Sequence, residues 1–184
     1  DWLFFRLFDR TGRSMATVLI HIRCRAPIES LEQLILFVFV LVTHNQFEAF
    51  SVADSVGVVF DGSIPQWDSA YNVYHRPANL EVATFVGDGA IIRGMVDAPR
   101  HVSCGLGELT GDLSLPCESG CHVDLLVRPE DVLHDDNSAV KARILHKSFR
   151  GPNILYKLEL PSLETCLALV SSHHNHKLGE YIGI

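Results

Sequence analysis

The clearest pattern in the chain is an unbroken apolar run of nine residues, Leu34 to Val42, rich in valine and phenylalanine. This run is far shorter than the roughly 20 residues that a membrane-spanning helix needs. Its length and composition are typical of a β-strand that is buried on both faces. We therefore predict a buried strand that ends just before His44.

A short helix is predicted directly after this strand. Asn45 is a residue type that caps helix N-termini, and Glu48 completes the spacing of a capping box. The helix should cover residues 45–54. His44 would then lie at the carboxyl end of the strand, which is the edge where open α/β sheets bind ligands. His44 is therefore the first candidate site residue.

Several short predicted elements, separated by turn-forming residues, follow up to residue 89. Aspartate and glycine at positions 61 and 62 predict a hairpin turn, and the helix before Pro77 must end ahead of it. Glycines on both sides of Asp88 mark a change in composition and predict a domain boundary. Residues 1–33 show no clean period, and part of them is predicted to be helical. The remaining predicted elements are a strand over 56–60, an extended piece over 63–66, a helix capped by Asp68 or Ser69, and a helix over 79–86.

Beyond residue 89 the chain consists of short apolar runs separated by Gly, Pro, Asp and Asn, a pattern typical of a small β-barrel or sandwich. Residues 140–145 and 154–160 alternate between the two faces of a strand, and the Gly151-Pro152-Asn153 sequence between them predicts a hairpin. Residues 166–170 supply a further strand. The predicted solvent side of the first hairpin strand carries Lys141, Arg143 and Lys147.

Composition narrows the classes of partner and compartment. The 184 residues include 15 Lys plus Arg and 22 Asp plus Glu, and the resulting formal charge of -7 repels phosphate polymers. Nucleic acid is therefore not a favoured partner. Five cysteines are too few for a secreted disulfide scaffold of this length, which favours a reducing compartment. The first residues show neither an initiator methionine nor a signal peptide, as expected for a piece of a longer protein.

Two groups of residues have side chains that can ligate metals. The first has spacing within reach of a structural zinc site and comprises His101, Cys104, Cys117, Cys121 and His122. The second lies near the C-terminus and comprises His173, His174 and His176. Neutral imidazoles suit zinc, copper or nickel. Ordinary loop residues are the favoured interpretation of both groups, so no metal site is predicted.

Several short motifs occur in one order over about 150 positions. They are Thr43-His44-Asn45-Gln46, Glu48-Ala49, Ala53-Asp54, Gly62, Gln66, Tyr74, Pro77, Phe85-Val86-Gly87, Leu126-Val127-Arg128-Pro129-Glu130-Asp131-Val132, Ser172-His173-His174-Asn175-His176 and Gly179-Glu180-Tyr181-Ile182-Gly183-Ile184. This series resembles the ATP-binding subunits of ABC importers that carry a C-terminal TOBE domain, a group that includes ferric-iron, polyamine and sulfate or molybdate transporters.

The resemblance implies an α+β chain, with an incomplete α/β nucleotide-binding lobe followed by a mostly β, OB-like TOBE barrel domain. Residues 34–88 would be the C-terminal remnant of the ATPase domain and residues 89–184 the accessory domain, while residues 1–33 match poorly. In intact members the switch histidine contacts the γ-phosphate of ATP and helps to order the attacking water. By resemblance this role belongs to His44, with ATP and Mg²⁺ as cofactors of the intact family.

The other parts of an ATPase site do not occur in this sequence. It contains no G-x-x-x-x-G-K-[ST] phosphate loop, no acidic Walker B end and no LSGGQ signature. Phosphoryl transfer depends on the positioning and the electrostatics that these parts supply. Asn45 also replaces the aspartate that usually follows the switch histidine. We therefore expect His44 to be inactive in this chain alone, and we expect the chain to bind no cofactor tightly.

The resemblance further implies two partners, a second ATPase subunit in a homodimer and a transmembrane permease, with the chain in the cytoplasm at the inner face of the membrane. Iron(III) is the implied solute, because residues 172–184 are most similar to iron(III)-type members. Two alternatives stay open. One is a non-enzymatic TOBE-type module that binds a small oxyanion or regulates a partner, and the other is an inactive truncated remnant.

Overall fold

The computed structural model describes residues 17–26, 35–111 and 117–184, with side chains described for 40–111 and 117–184. The chain divides into two compact units, Asp1–Gly87 and Asp88–Ile184. The described elements of the first unit are β1 (Thr17–Ala26), β2 (Ile35–Thr43), α1 (Gln46–Val52), β3 (Ser55–Phe60), β4 (Ser63–Asp68), α2 (Ala70–His75) and α3 (Leu80–Phe85).

The strands of the first unit form an antiparallel sheet in the order β2-β1-β3-β4. Only residues 27–34 separate β1 from β2, and a parallel crossover needs a dozen residues or more. Asp61 and Gly62 join β3 to β4 with φ values of 45° and 77°, as a type I′ hairpin turn requires. The predicted turn is confirmed, whereas the described strands do not form the parallel sheet expected of an α/β lobe.

One sequence prediction in this unit is wrong, and another stays a prediction. Residues 17–26 form a strand, because their β-branched residues suit a strand that pairs on both sides. The helix predicted for part of residues 1–33 falls on the rest of that range, which lies outside the described residues. β2 forms where a buried strand was expected, but it lies at the edge of the sheet. Val40, Leu41 and Val42 are therefore 53%, 42% and 40% exposed.

The three helices begin where the sequence places capping residues. Ser69 caps α2 by accepting a hydrogen bond from the backbone N–H of Asn72. The side-chain amide of Asn72 donates a hydrogen bond to the Asp68 carboxyl, and the backbone N–H of Ser69 donates another. These two bonds lower the pKa of that carboxyl, and the bond from Asn72 has the larger effect. Asn45 and Asn79 cap α1 and α3 in the same way. Within the described residues, no helix is long and apolar enough to cross a membrane.

The second unit is built almost entirely of strands: β5 (Ala90–Ala98), β6 (His101–Cys104), β7 (Gly107–Thr110), β8 (His122–Val127), β9 (Lys141–Phe149), β10 (Asn153–Glu159), β11 (Thr165–Ser171) and β12 (Tyr181–Gly183). They form two antiparallel sheets, β7-β6-β5-β8 and β11-β10-β9-β12. Ile92 and Val127 of the first sheet share one hydrophobic core with Ile144, Tyr156 and Leu158 of the second. The prediction of a mostly β second part is confirmed.

The β9–β10 hairpin is confirmed, with one correction to its faces. Lys157 lies opposite His146, whereas Leu158 lies opposite Ile144, so the register shifts by one residue at Leu145. Such a bulge reverses the alternation of side chains that follows it. Lys141 and Arg143 are exposed as expected. Lys147 is partly buried instead, and its Nζ donates to the carbonyl of His176 at 2.9 Å.

Cys166 on β11 provides a test of core burial. Its side chain is 1% exposed, and desolvation raises the pKa of the thiol from 9.0 to about 11. We expect iodoacetamide to label Cys166 far more slowly than Cys104 at pH 8.5, and equally fast in 6 M guanidinium, as measured by mass spectrometry of tryptic peptides. Equal labelling rates in the folded protein would contradict this burial.

The raised pKa of the Cys166 thiol also predicts how the stability of the fold depends on pH. Because the folded thiol has a higher pKa than the unfolded one, it contributes stability that is complete below pH 9.0 and is lost as the pH rises through about 11. A Cys166→Ala variant should lose less stability than the parent chain between these two pH values, as followed by urea denaturation.

Candidate functional site

His44 lies between β2 and α1 and is exposed. The hydrogen bonds around it order its neighbours. The Asn45 side chain accepts from the N–H of Phe47 at 3.1 Å, and the N–H of Asn45 donates to Oγ1 of Thr43 at 3.0 Å. The structure thus places the histidine at a defined turn from strand to helix, as the sequence predicted.

Two details of this turn differ from the sequence predictions. Glu48 does not complete a capping box with the backbone of Asn45, because its Oε2 accepts from the hydroxyl of Thr43 at 3.0 Å. The helix is also shorter than 45–54, since α1 covers Gln46–Val52. The sheet beside His44 is antiparallel, so the argument from the carboxyl edge of an open α/β sheet does not apply to it.

Other motif residues of the first unit hold its segments together. Oε1 of Gln46 accepts from the N–H of Gly87 at 2.7 Å and ties the start of α1 to the segment after α3. The amide of Gln66 donates to the carbonyl of Arg76 at 3.0 Å and accepts from the N–H of Ala78 at 2.8 Å. Each glutamine therefore forms hydrogen bonds with backbone groups of a segment that is distant in sequence. These roles could have been recognised from sequence only through the family resemblance.

The residues of this chain do not fit a complete ATP site. His44 is a single exposed imidazole, and the full sequence supplies no phosphate loop to expose N–H groups to a triphosphate. A lone histidine cannot replace the charge neutralisation of a Walker lysine and a magnesium ion. No catalytic step is assigned to His44 in this chain.

Arg128 is the central residue of the motif that follows β8. Its side chain is 3% exposed, and Nη1 donates to the carbonyl of Asp88 at 3.1 Å. Asp131 closes the turn by accepting from the N–H of Arg128 at 3.1 Å. The carboxylate of Asp88 in turn lies 3.0 Å from Arg150. The motif therefore fastens the start of the second unit through Arg128, and Asp131 orders the turn that follows β8.

The first group of predicted metal ligands is not assembled for metal binding. Cys117 and Cys121 form a disulfide with their Cα atoms 6.0 Å apart, so neither sulfur is a thiolate ligand. Cys104 is a free, partly buried thiol on β6. The turn between the two residues brings their Cα atoms within bridging distance.

The second group is only partly assembled. His174 and His176 lie close to His134, a residue that the sequence prediction missed, and the three ligand nitrogens are within 4.8 Å of one another. His173 is exposed and is not part of this group. His134 follows β8 and is 40 positions away from His174 in sequence. No local spacing signal could have joined it to the others.

Two surface depressions accompany these residues in the second unit. The larger, of about 710 Å³, lies over β5, β6 and β8, where Arg93 and Asp124 bring opposite charges to its lining. The other, of about 520 Å³, is lined by His134, Asp136 and His174 among others. In the second depression, two of the lining residues, His134 and His174, belong to the group of three histidines whose ligand nitrogens lie close together.

Comparison with known proteins identifies related sequences. Residues 125–184 match the TOBE domain. Over 153 residues the chain is 36% identical to the spermidine/putrescine import ATP-binding protein PotA of Oleidesulfovibrio alaskensis, which covers 76% of this chain and 41% of that protein. Over 148 residues it is 30% identical to the Fe(3+) ions import ATP-binding protein FbpC of Fusobacterium nucleatum, covering 79% of this chain and 40% of that protein.

A further relative is the spermidine/putrescine import ATP-binding protein PotA of Marinobacter nauticus, 35% identical over 125 residues, which are 63% of this chain and 34% of that protein. The chain thus spans between 34% and 41% of the length of these three relatives.

Proposed function

We infer that this chain forms the C-terminal part of an ATP-binding subunit of an ABC importer. The inference follows because the chain belongs to the group of such subunits that carry a TOBE domain. In this role its second unit is the accessory domain, and its first unit completes the ATPase lobe with His44 as the switch histidine. The observation that carries the proposal is the TOBE match over 125–184, which falls within the compact second unit.

The internal bonds of the motif residues support the proposal. Arg128 anchors the TOBE segment to Asp88, while Gln46 joins the strand-to-helix turn beside His44 to Gly87. Each of these bonds orders the backbone within its own unit, which is the use expected of motif residues that shape an accessory domain and a histidine turn.

The whole subunit would work with two partners. We propose a second copy of the subunit, since ABC ATPases act in pairs, and a membrane permease that the pair drives. The proposed location is the cytoplasm, peripheral to the inner face of the membrane. ATP and Mg²⁺ would be bound by the intact protein, while the residues present in this chain are not expected to hold either.

The solute is proposed to be a cation. Two of the relatives are named for spermidine and putrescine import and one for Fe(3+) import, and all of these solutes are positively charged. The similarity of residues 172–184 to iron(III)-type members favours iron(III) as the specific proposal. The greater identity to the polyamine relatives favours a polyamine as the second candidate.

A chimera tests this proposal. The part of the Oleidesulfovibrio relative that precedes the matched region would be joined to residues 34–184 of this chain. We expect the chimera to hydrolyse ATP and a His44→Ala change to lower that rate by about tenfold or more, because the histidine orients an attacking group. His75→Ala, at another exposed histidine of the same unit, should leave the rate unchanged.

Two results would contradict the proposal. One is a chimera that binds ATP and hydrolyses it at the same rate with or without His44. The other is a chimera without ATPase activity together with a higher melting temperature of the chain alone in molybdate, tungstate or sulfate, which would favour the oxyanion-binding alternative. As a control, the chain alone should bind ATP no more tightly than millimolar.

A further inference from the structure

Three histidines from two loops meet on the surface of the second unit. His134 comes from the loop between β8 and β9, and His174 and His176 come from the loop between β11 and β12. The ring centroid of His134 lies 4.8 Å from that of His174 and 5.1 Å from that of His176. Their ligand nitrogens all lie within 4.8 Å of one another. Long-range folding, and not sequence proximity, produces this cluster.

The backbone that carries His174 and His176 is held firmly by the core. The hydroxyl of Tyr156, a fully buried residue of β10, donates to the carbonyl of His174 at 2.7 Å and accepts from the N–H of His176 at 3.0 Å. Nζ of Lys147 donates to the carbonyl of His176 and to the side chain of Asn175, each at 2.9 Å. Ligands that are fixed in this way need little ordering when an ion binds.

The loop that carries His134 is also held in place, by hydrogen bonds to the last two residues of the chain. The N–H of Asp135 donates to the carbonyl of Gly183 on β12 at 3.0 Å. The hydroxyl of Ser138 donates to the carbonyl of Ile184 at 2.5 Å. Both loops are therefore tied to the sheet that contains β9 and β12, and the spacing of the imidazoles follows from the fold.

Two of the imidazole nitrogens are buried without a hydrogen-bond partner among the described residues. They are Nε2 of His134 and Nε2 of His176. The side chain of His134 is only 8% exposed. Oδ1 of Asp136 lies 3.2 Å from Nε2 of His134, which is an ion-pair distance, but the angles do not make a hydrogen bond. A buried polar atom without a partner is costly, and an ion at this point would remove that cost.

The surrounding charges favour a cation over an anion. Asp136 stands beside His134, and Oε2 of Glu180 lies 3.7 Å from Nδ1 of His176. The carboxylate lies on the Nδ1 side of the His176 ring, while Nε2 is the buried nitrogen that has no hydrogen-bond partner among the described residues. A carboxylate on the far nitrogen is the usual second partner of a metal-bound histidine, because it fixes the tautomer and raises the basicity of the ligand.

From this geometry we propose that His134, His174 and His176 bind Zn²⁺ on the TOBE unit, with the fourth position of the ion open to water. Imidazole ligands suit Zn²⁺, whereas Mg²⁺ and Ca²⁺ select oxygen ligands. Tetrahedral zinc with bonds of about 2.0–2.1 Å separates its ligand atoms by about 3.4 Å. The three ligand nitrogens, which lie within 4.8 Å of one another, would move closer together around the ion. The ion would cross-link the two loops.

Zinc titration of the tag-free chain, purified with a chelator that is then removed, tests this site. We expect one Zn²⁺ per chain with micromolar or tighter affinity by calorimetry, and a melting temperature that rises with Zn²⁺ and falls again with EDTA. His134→Ala and His176→Ala should each weaken this binding at least tenfold. Co²⁺ in place of Zn²⁺ should show the strong visible absorption of a tetrahedral ion.

The matched control is His173→Ala, because His173 lies in the same loop, is exposed and is outside the cluster. It should leave Zn²⁺ affinity within about twofold of the parent chain. Circular dichroism without metal would verify that each variant is folded. Affinity weaker than about 100 μM, or equal losses in His173→Ala and His176→Ala, would overturn the site. An octahedral Co²⁺ spectrum would also overturn it.

Discussion

Replacing Gly183 with alanine is expected to lower the free energy of unfolding of the second unit by about 3 kcal/mol. A Cβ on this residue of β12 would overlap the carbonyl oxygen of Asp135 and lie 3.0 Å from its carbonyl carbon. Both atoms belong to the backbone, so no side-chain rotation can relieve the overlap. The hydrogen bond from the N–H of Asp135 to the carbonyl of Gly183 would be strained or lost.

Labelling of Cys166 as a function of urea would measure this change, because the thiol becomes accessible only when the core of the second unit opens. Gly111→Ala is the matched control, since no atom of the described residues lies within 4 Å of a Cβ at that position. The control should change stability by less than about 0.5 kcal/mol. A Gly183→Ala protein as stable as the control would show that β12 does not pack as described.

Leu158→Ala is expected to cost about 3–4 kcal/mol of stability. Leu158 is fully buried on β10, between Ile144 on β9 and Cys166 on β11. Removing its branched end leaves a cavity that the flanking strands cannot close, because their backbone hydrogen bonds fix their spacing. Urea denaturation followed by far-ultraviolet circular dichroism would measure the change in the midpoint.

Leu178→Ala serves as the control for that experiment, because the Leu178 side chain is 59% exposed in the loop before β12. We expect its unfolding midpoint to match that of the parent chain. Comparable losses of stability at the two leucines would mean that the core is not organised around the β9–β10–β11 sheet.

Local features of the sequence were sufficient for several elements. Alternating side chains and the Gly151-Pro152-Asn153 turn located the β9–β10 hairpin, because a strand has a period of two and the turn residues fix its end. Asp61 and Gly62 predicted the turn between β3 and β4, because these residue types tolerate the positive φ values that such a turn needs. Asn45 located the start of α1, since its side chain accepts a backbone N–H that the helix leaves unpaired.

Other features depended on neighbours that are distant in sequence. The apolar composition of β2 indicates a strand, but whether that strand lies at the centre or the edge depends on the order of the sheet. The bulge at Leu145 that turns Lys147 inward arises from the pairing of β9 with β10. The capping box failed at Glu48 because Thr43 intervenes: its hydroxyl donates to the Glu48 carboxylate and accepts from the N–H of Asn45.

The sequence by itself determined the family, the mostly β character of the second unit and the absence of a phosphate loop, because each is written in local composition and ordered motifs. Only the tertiary structure decided that His44 is exposed beside an antiparallel edge strand, and that His134 joins His174 and His176. The physical reason is that a strand's pairing partners and a loop's neighbours are set by the packing of the core, which brings together residues that no local pattern connects.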